Sequence, residues 1–103
     1  AWPRGVVDDD LSEPPRSDVP ALILSGENDP VTPPAYGEQI LPGLPNALHI
    51  VLTGQGHGQL AIGCMPSIVT RFISSASIDG LRDECTKAVV PTPFMISNTG
   101  PTP

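Results

Sequence analysis

The sequence predicts an α/β fold made of two parallel strands, a crossover helix and a packing helix. Three observations predict it. Two short, continuous apolar runs, "ALIL" at 21–24 and "ALHIVLTG" at 47–54, suit strands buried on both faces, as in a parallel sheet. Between them, Thr32-Pro33-Pro34 marks a helix start. After them, Met65, Ile68, Val69, Phe72, Ile73 and Ala76 recur at i, i+3, i+4, i+7, i+8 and i+11, one face of an amphipathic helix. Strand, helix, strand, helix is the order of a right-handed βαβ unit with one more helix.

The elements follow in order. Residues 1–18, "AWPRGVVDDDLSEPPRSD", show no sustained period and many breakers, and form an irregular lead-in with Trp2 packed against the rest. Residues 19–90 carry the βαβα segment. Its first strand ends at Ser25-Gly26. The first helix spans 33–41, with the Thr32 hydroxyl as cap and a proline where no hydrogen bond is lost, and it stops at Pro42-Gly43. The second strand ends at Thr53-Gly54, and the last helix has Pro66 in its first turn. One more short helical turn is expected around Cys85. Residues 91–103 form a Pro-rich extended tail.

At 103 residues the chain is at most one small domain, short for a complete α/β enzyme. Its net charge of −6 argues against a nucleic-acid surface or an anionic membrane face. The run Asp8-Asp9-Asp10 reads as a solvated loop, since no glycine turn or distal glutamate completes a calcium site around it. No run of about 18 apolar residues offers a membrane span, and no charged-then-apolar leader opens the chain. A start at Ala1 points to a processed protein or a piece of a longer one. Cys64 and Cys85 fit either a disulfide or two free thiols, and their spacing does not suggest zinc. If bonded, they would favour an exported protein. No metal or other cofactor is expected.

The chemistry lies in two turns. Asp29, in "SGENDPVTPPAYGEQ", falls five residues after Leu24. His57, in "LTGQGHGQL", falls five after Leu52. Equal offsets behind adjacent parallel strands bring both to the rim where ligands and catalytic groups gather in open α/β sheets. There the carboxylate can accept the Nδ1 proton and leave Nε2 as a general base. Glycines 54, 56 and 58 let the histidine loop bend and a substrate approach. Each residue has a plainer reading. An Asp-Pro after a strand is ordinarily a turn former, and a histidine among glycines ordinarily a loop residue; it is the pairing that favours catalysis. Spacing leaves Glu27 open as an alternative acid. His49, inside the second strand, reads as structural, and Tyr36 as a helix-packing residue.

"VPALILSGENDPVTPPAYGEQ", "LPNALHIVLTGQGHGQL", and "GC" opening the last helix before a later cysteine together resemble the C-terminal region of secreted tripeptidyl-aminopeptidase-like α/β-hydrolases, relatives of prolyl aminopeptidases. The resemblance covers roughly residues 19–94. It implies that Asp29 and His57 match the triad acid and base, that Cys64 and Cys85 match a disulfide tying the tail, and that substrates are short peptides or related amides and esters. The sequence departs from that family in one respect. The G-x-S-x-G elbow that carries the serine is missing, and neither Ser12 nor Ser25 has its context. The expectation is therefore a C-terminal portion of an α/β-hydrolase, inactive alone, that partners an N-terminal portion carrying the nucleophile. The alternative is a non-catalytic interaction module that keeps the fold and self-associates through exposed sheet faces or edges.

Overall fold

The computed structural model describes residues 13–91 together with positions 3, 5, 6, 93, 94 and 98. Trp2, Ser12 and the Asp8–Asp10 run lie outside the described residues, as does most of the Pro-rich tail. Strand β1 is Ala21–Gly26, helix α1 Pro34–Ile40, strand β2 Ala47–Leu52 and helix α2 Met65–Ser75. Short 3-10 turns follow at Leu41–Gly43 and Glu84–Ala88. The strands are parallel neighbours in register from Ala21↔Ala47 to Gly26↔Leu52. The chain is therefore of the α/β class.

Strand alternation divides the two faces. Ile50 and Leu52 meet Met65 and Ile68 of α2 in the core, with Leu22, Leu24, Leu48 and Val69 packed around them. Leu52 and Met65 are almost wholly removed from water, and each such side chain contributes about 1.5–3 kcal/mol. On the opposite face α1 crosses the sheet at Gly37, where a Cβ would stand 2.7 Å from the His49 ring. His49 Nε2 lies 2.9 Å from Ser25 Oγ on that same face. Among residues 13–20, the Ser17 N–H donates to the Gly43 carbonyl at 3.0 Å. The Asn46 side chain donates to the Asp18 carbonyl at 2.7 Å, so this stretch is tied down without forming an element.

Several expectations need correcting. The strands are not buried on both faces: among their residues only Ser25, Gly26, Ile50 and Leu52 are buried, and Val51 is 40% exposed. Two strands give too little surface to bury both helix faces. The apolar stripe of α2 is covered only over its first turns, at Met65 and Ile68, while Ile73 is 71% exposed. Tyr36 does not pack and is 56% exposed. The helix expected over 33–41 is α-helical only over Pro34–Ile40 and tightens into the 3-10 turn that holds Pro42. The Thr32 hydroxyl does not cap it. Pro33 stands at that position with no side-chain cap.

Cys64 and Cys85 are joined, with Cα atoms 6.3 Å apart. The bond ties the N-terminal end of α2 to the turn at Glu84–Ala88, across a sequence separation of 21. In the chain-entropy model a loop of that length stabilises by about 3 kcal/mol. Helix α2 ends on Ala76 in the left-handed region, φ 49°, its N–H donating to the Phe72 carbonyl at 2.8 Å. Among the described residues no helix is long and apolar enough to cross a membrane.

Candidate active site

Asp29 and His57 stand at the carboxyl ends of the two strands and meet there. His57 Nδ1 lies 2.8 Å from Asp29 Oδ2. The offsets behind this meeting are unequal. Strand β1 runs on to Gly26, so Asp29 follows its end by three residues while His57 follows Leu52 by five. The longer loop doubles back. Gln55 N–H returns to the Leu52 carbonyl at 3.3 Å, and Gly54 and Gly58 take left-handed backbone, φ 67° and 93°. Gly56 has no such constraint. The tight position is Gly26, where a Cβ would run into the carbonyl oxygens of Gln55 and Gly56 as the histidine loop passes.

The two loops are bound to each other along their length. Glu27 N–H donates to the Leu52 carbonyl at 3.0 Å and Asn28 N–H to the Gln55 carbonyl at 2.9 Å. The Glu27 carboxylate accepts the Gly54 N–H at 2.7 Å. Glu27, weighed above as an alternative acid, thus braces the histidine loop while Asp29 holds the imidazole. Beneath them Gln59 is buried and its amide donates to the Gly56 carbonyl.

The carboxylate of Asp29 is held at both oxygens. Oδ1 accepts the N–H groups of Val31, at 2.8 Å, and Thr32, at 3.0 Å. Oδ2 accepts the Thr32 hydroxyl at 2.8 Å as well as His57. Asp29 is 5% exposed. That burial alone pushes its carboxyl up, but the Thr32 N–H, the His57 ring, the Val31 N–H and the Thr32 hydroxyl together outweigh it and hold the group well below the usual carboxylate range. Asp29 is therefore an anion at neutral pH, and an imidazole beside it keeps its proton on Nδ1.

The two partners differ sharply in exposure, 64% for the His57 side chain against 2% for that of Asp29. Among the described residues His57 Nε2 has no hydrogen-bond partner. The arrangement is a buried anion that orients an open imidazole, which can take a proton from a group brought to Nε2. A cavity of about 260 Å³ lies elsewhere, beside the disulfide, and neither Asp29 nor His57 lines it. His49 stays on the opposite face of the sheet, with Ser25, and among the described residues the Tyr36 side chain makes no hydrogen bond to the pair.

Thr32 and Glu27 are the site residues that sequence reasoning assigned otherwise. Thr32 carried one available signal. An Asp followed three residues later by Thr, just before Pro-Pro, is spaced for both the N–H and the hydroxyl of the threonine to fold back onto the carboxylate. A family model described as TAP-like protein, of the α/β-hydrolases, matches residues 1–85. No curated protein and no solved structure matches the chain.

Proposed function

The chain belongs to the TAP-like family of α/β-hydrolases, and from that premise we propose that it is the C-terminal segment of a secreted serine hydrolase. The hydrolase is a peptidase of the tripeptidyl or prolyl aminopeptidase type, and this segment supplies the triad acid, Asp29, and base, His57. The observation that carries the proposal is the 2.8 Å contact between His57 Nδ1 and a buried Asp29 carboxylate, with the rest of the imidazole open.

The serine comes from an N-terminal portion of the enzyme, since no G-x-S-x-G occurs in these 103 residues. His57 takes the serine's proton at Nε2 as the oxygen attacks the scissile carbonyl. It then returns that proton to the leaving amine. Asp29 stays ionised throughout, keeps the ring in the productive tautomer and stabilises the imidazolium. The oxyanion donors and the substrate pocket also belong to the N-terminal portion, in keeping with a cavity on this chain that neither catalytic residue lines. The half-covered sheet, with Val51 exposed, and the bare end of α2 at Ile73 give that portion apolar surface to cover. Export agrees with the Cys64–Cys85 disulfide.

Aminoacyl and tripeptidyl anilides test the proposal. The chain alone is expected to show no turnover above background. The chain produced in one reading frame with a G-x-S-x-G portion is expected to be active, and His57→Ala to abolish that activity. Turnover by the isolated chain that disappears in His57→Ala would place the nucleophile within it and refute the proposal. A joined enzyme indifferent to His57→Ala would leave the segment as the interaction module instead.

A further inference from the structure

The Asp29 carboxylate can rotate about its last torsion, which is broad and two-fold in aspartate. Two backbone N–H groups, of Val31 and Thr32, hold Oδ1, and since both oxygens turn together they restrain the carboxylate plane as well. The Thr32 hydroxyl, 2.8 Å from Oδ2, is the donor from the same loop that holds the oxygen facing His57. The same hydroxyl oxygen lies 3.4 Å from His57 Nδ1, so Asp29 Oδ2, Thr32 Oγ1 and His57 Nδ1 close a triangle. The hydroxyl has one proton, and it is donated to the carboxylate. Its lone pairs are left on the side of the ring, where they favour a protonated Nδ1.

Thr32 does not fill the role its position before Pro33-Pro34 suggests, since α1 has no side-chain cap. Its hydroxyl instead addresses a weakness of the site. With its side chain 64% exposed, His57 has little packing to hold it, and its orientation depends on where Oδ2 points.

We propose that Thr32 is a positioning residue whose hydroxyl, together with the N–H groups on Oδ1, holds the Asp29 carboxylate plane, so that Oδ2 faces His57 and the imidazole proton stays on Nδ1. The proposal deepens the hydrolase reading and rests on it for its catalytic meaning, but the positioning itself is a property of this chain and is measurable without a nucleophile.

The experiment is nitrogen NMR of the 103-residue chain, labelled with 15N at histidine and recorded at about pH 8.5, above the ordinary histidine range. The wild-type His57 is expected as the Nδ1–H tautomer. In Thr32→Val the ratio of Nδ1–H to Nε2–H is expected to fall about tenfold, the effect of losing one hydrogen bond to a charged group. Thr32→Ser, which keeps the hydroxyl, is expected to restore the wild-type ratio. His49 serves as the internal control and keeps one spectrum throughout.

An unchanged tautomer ratio in Thr32→Val with native amide dispersion overturns the proposal. So does a wild-type His57 found as Nε2–H. If Thr32→Val unfolds, Thr32→Ala gives the same reading, and loss of the fold in both makes Thr32 a fold determinant and also overturns the proposal. Success here with no dependence of hydrolysis on His57 would remove the functional reading alone.

Discussion

The strand-end rim and the α2 side of the sheet are held together by different physics. At the rim, Asp29, Thr32, Glu27 and His57 are joined by directional hydrogen bonds of 2.7–3.0 Å between loops, and the imidazole stays in water. On the α2 side, Leu52, Met65 and Ile68 are buried in an apolar cluster, and one covalent bond ties Cys64 to Cys85. Hydrogen bonds that replace equally good bonds to water add little net stability, but they fix orientation. Apolar burial adds stability and fixes orientation only loosely. Changes at the rim should therefore disable chemistry in a chain that stays folded, and changes under α2 should unfold a chain whose site is intact.

The largest effect is expected at the rim. In the joined enzyme, Asp29→Asn places an amide donor against Nδ1–H and should lower turnover by ~10⁴-fold, by analogy with other triads. Its unfolding midpoint in urea should fall at neutral pH, because a neutral amide cannot match the anion's bonds to the Val31 and Thr32 N–H groups and to His57, but the chain should stay folded. A loss of activity matched by a loss of fold would break the contrast.

On the α2 side, Met65→Ala should cost about 2–5 kcal/mol in urea titration, and Cys85→Ser about 3 kcal/mol. In both, the folded fraction should keep the wild-type histidine tautomer. If Cys85→Ser scrambles the His57 signal, the disulfide reaches the site and the two regions are not separate.

Acid titrates the rim and leaves the apolar side untouched. The Asp29 carboxyl is held below its ordinary value of 3.8 in the folded chain, so over that range the unfolded state binds more protons. The stabilisation is complete above the ordinary value and is lost as the pH falls from there through the lowered folded value. Wild-type stability should therefore drop more steeply than that of Asp29→Asn as a urea series is taken below about pH 4. Equal slopes would mean that the carboxylate gains nothing from its partners. The smallest effect is at the helix end, where Ala76→Gly relieves a left-handed alanine at φ 49° and should stabilise by roughly 1 kcal/mol.

Much of this was legible in the sequence, for local reasons. Apolar runs and the Met65–Ile68–Val69 spacing report on strands and helix directly, and glycines and prolines mark where they end. The meeting of Asp29 with His57 was legible too, though not by the equal offsets that suggested it. The histidine loop folds back through Gly54, and Gly26 leaves room for it to pass. What the sequence hid depends on partners. Thr32 can cap a helix by accepting or hold Asp29 by donating; its position before Pro33-Pro34 points to the first, and the structure has the second. Ile73 and Tyr36 have the apolar character of packed residues, but a two-stranded sheet offers nothing to pack them against. The Cys64–Cys85 pairing was open on composition and implied only by family resemblance.

The most direct test of Asp29 acting through His57 is a double-mutant cycle of Asp29→Asn and His57→Ala in the joined enzyme, read as kcat/KM. Residues that work as one unit give losses that do not add. The double variant is expected to be no slower than His57→Ala alone. Losses that multiply would show the carboxylate contributing independently of the imidazole, and would contradict that expectation.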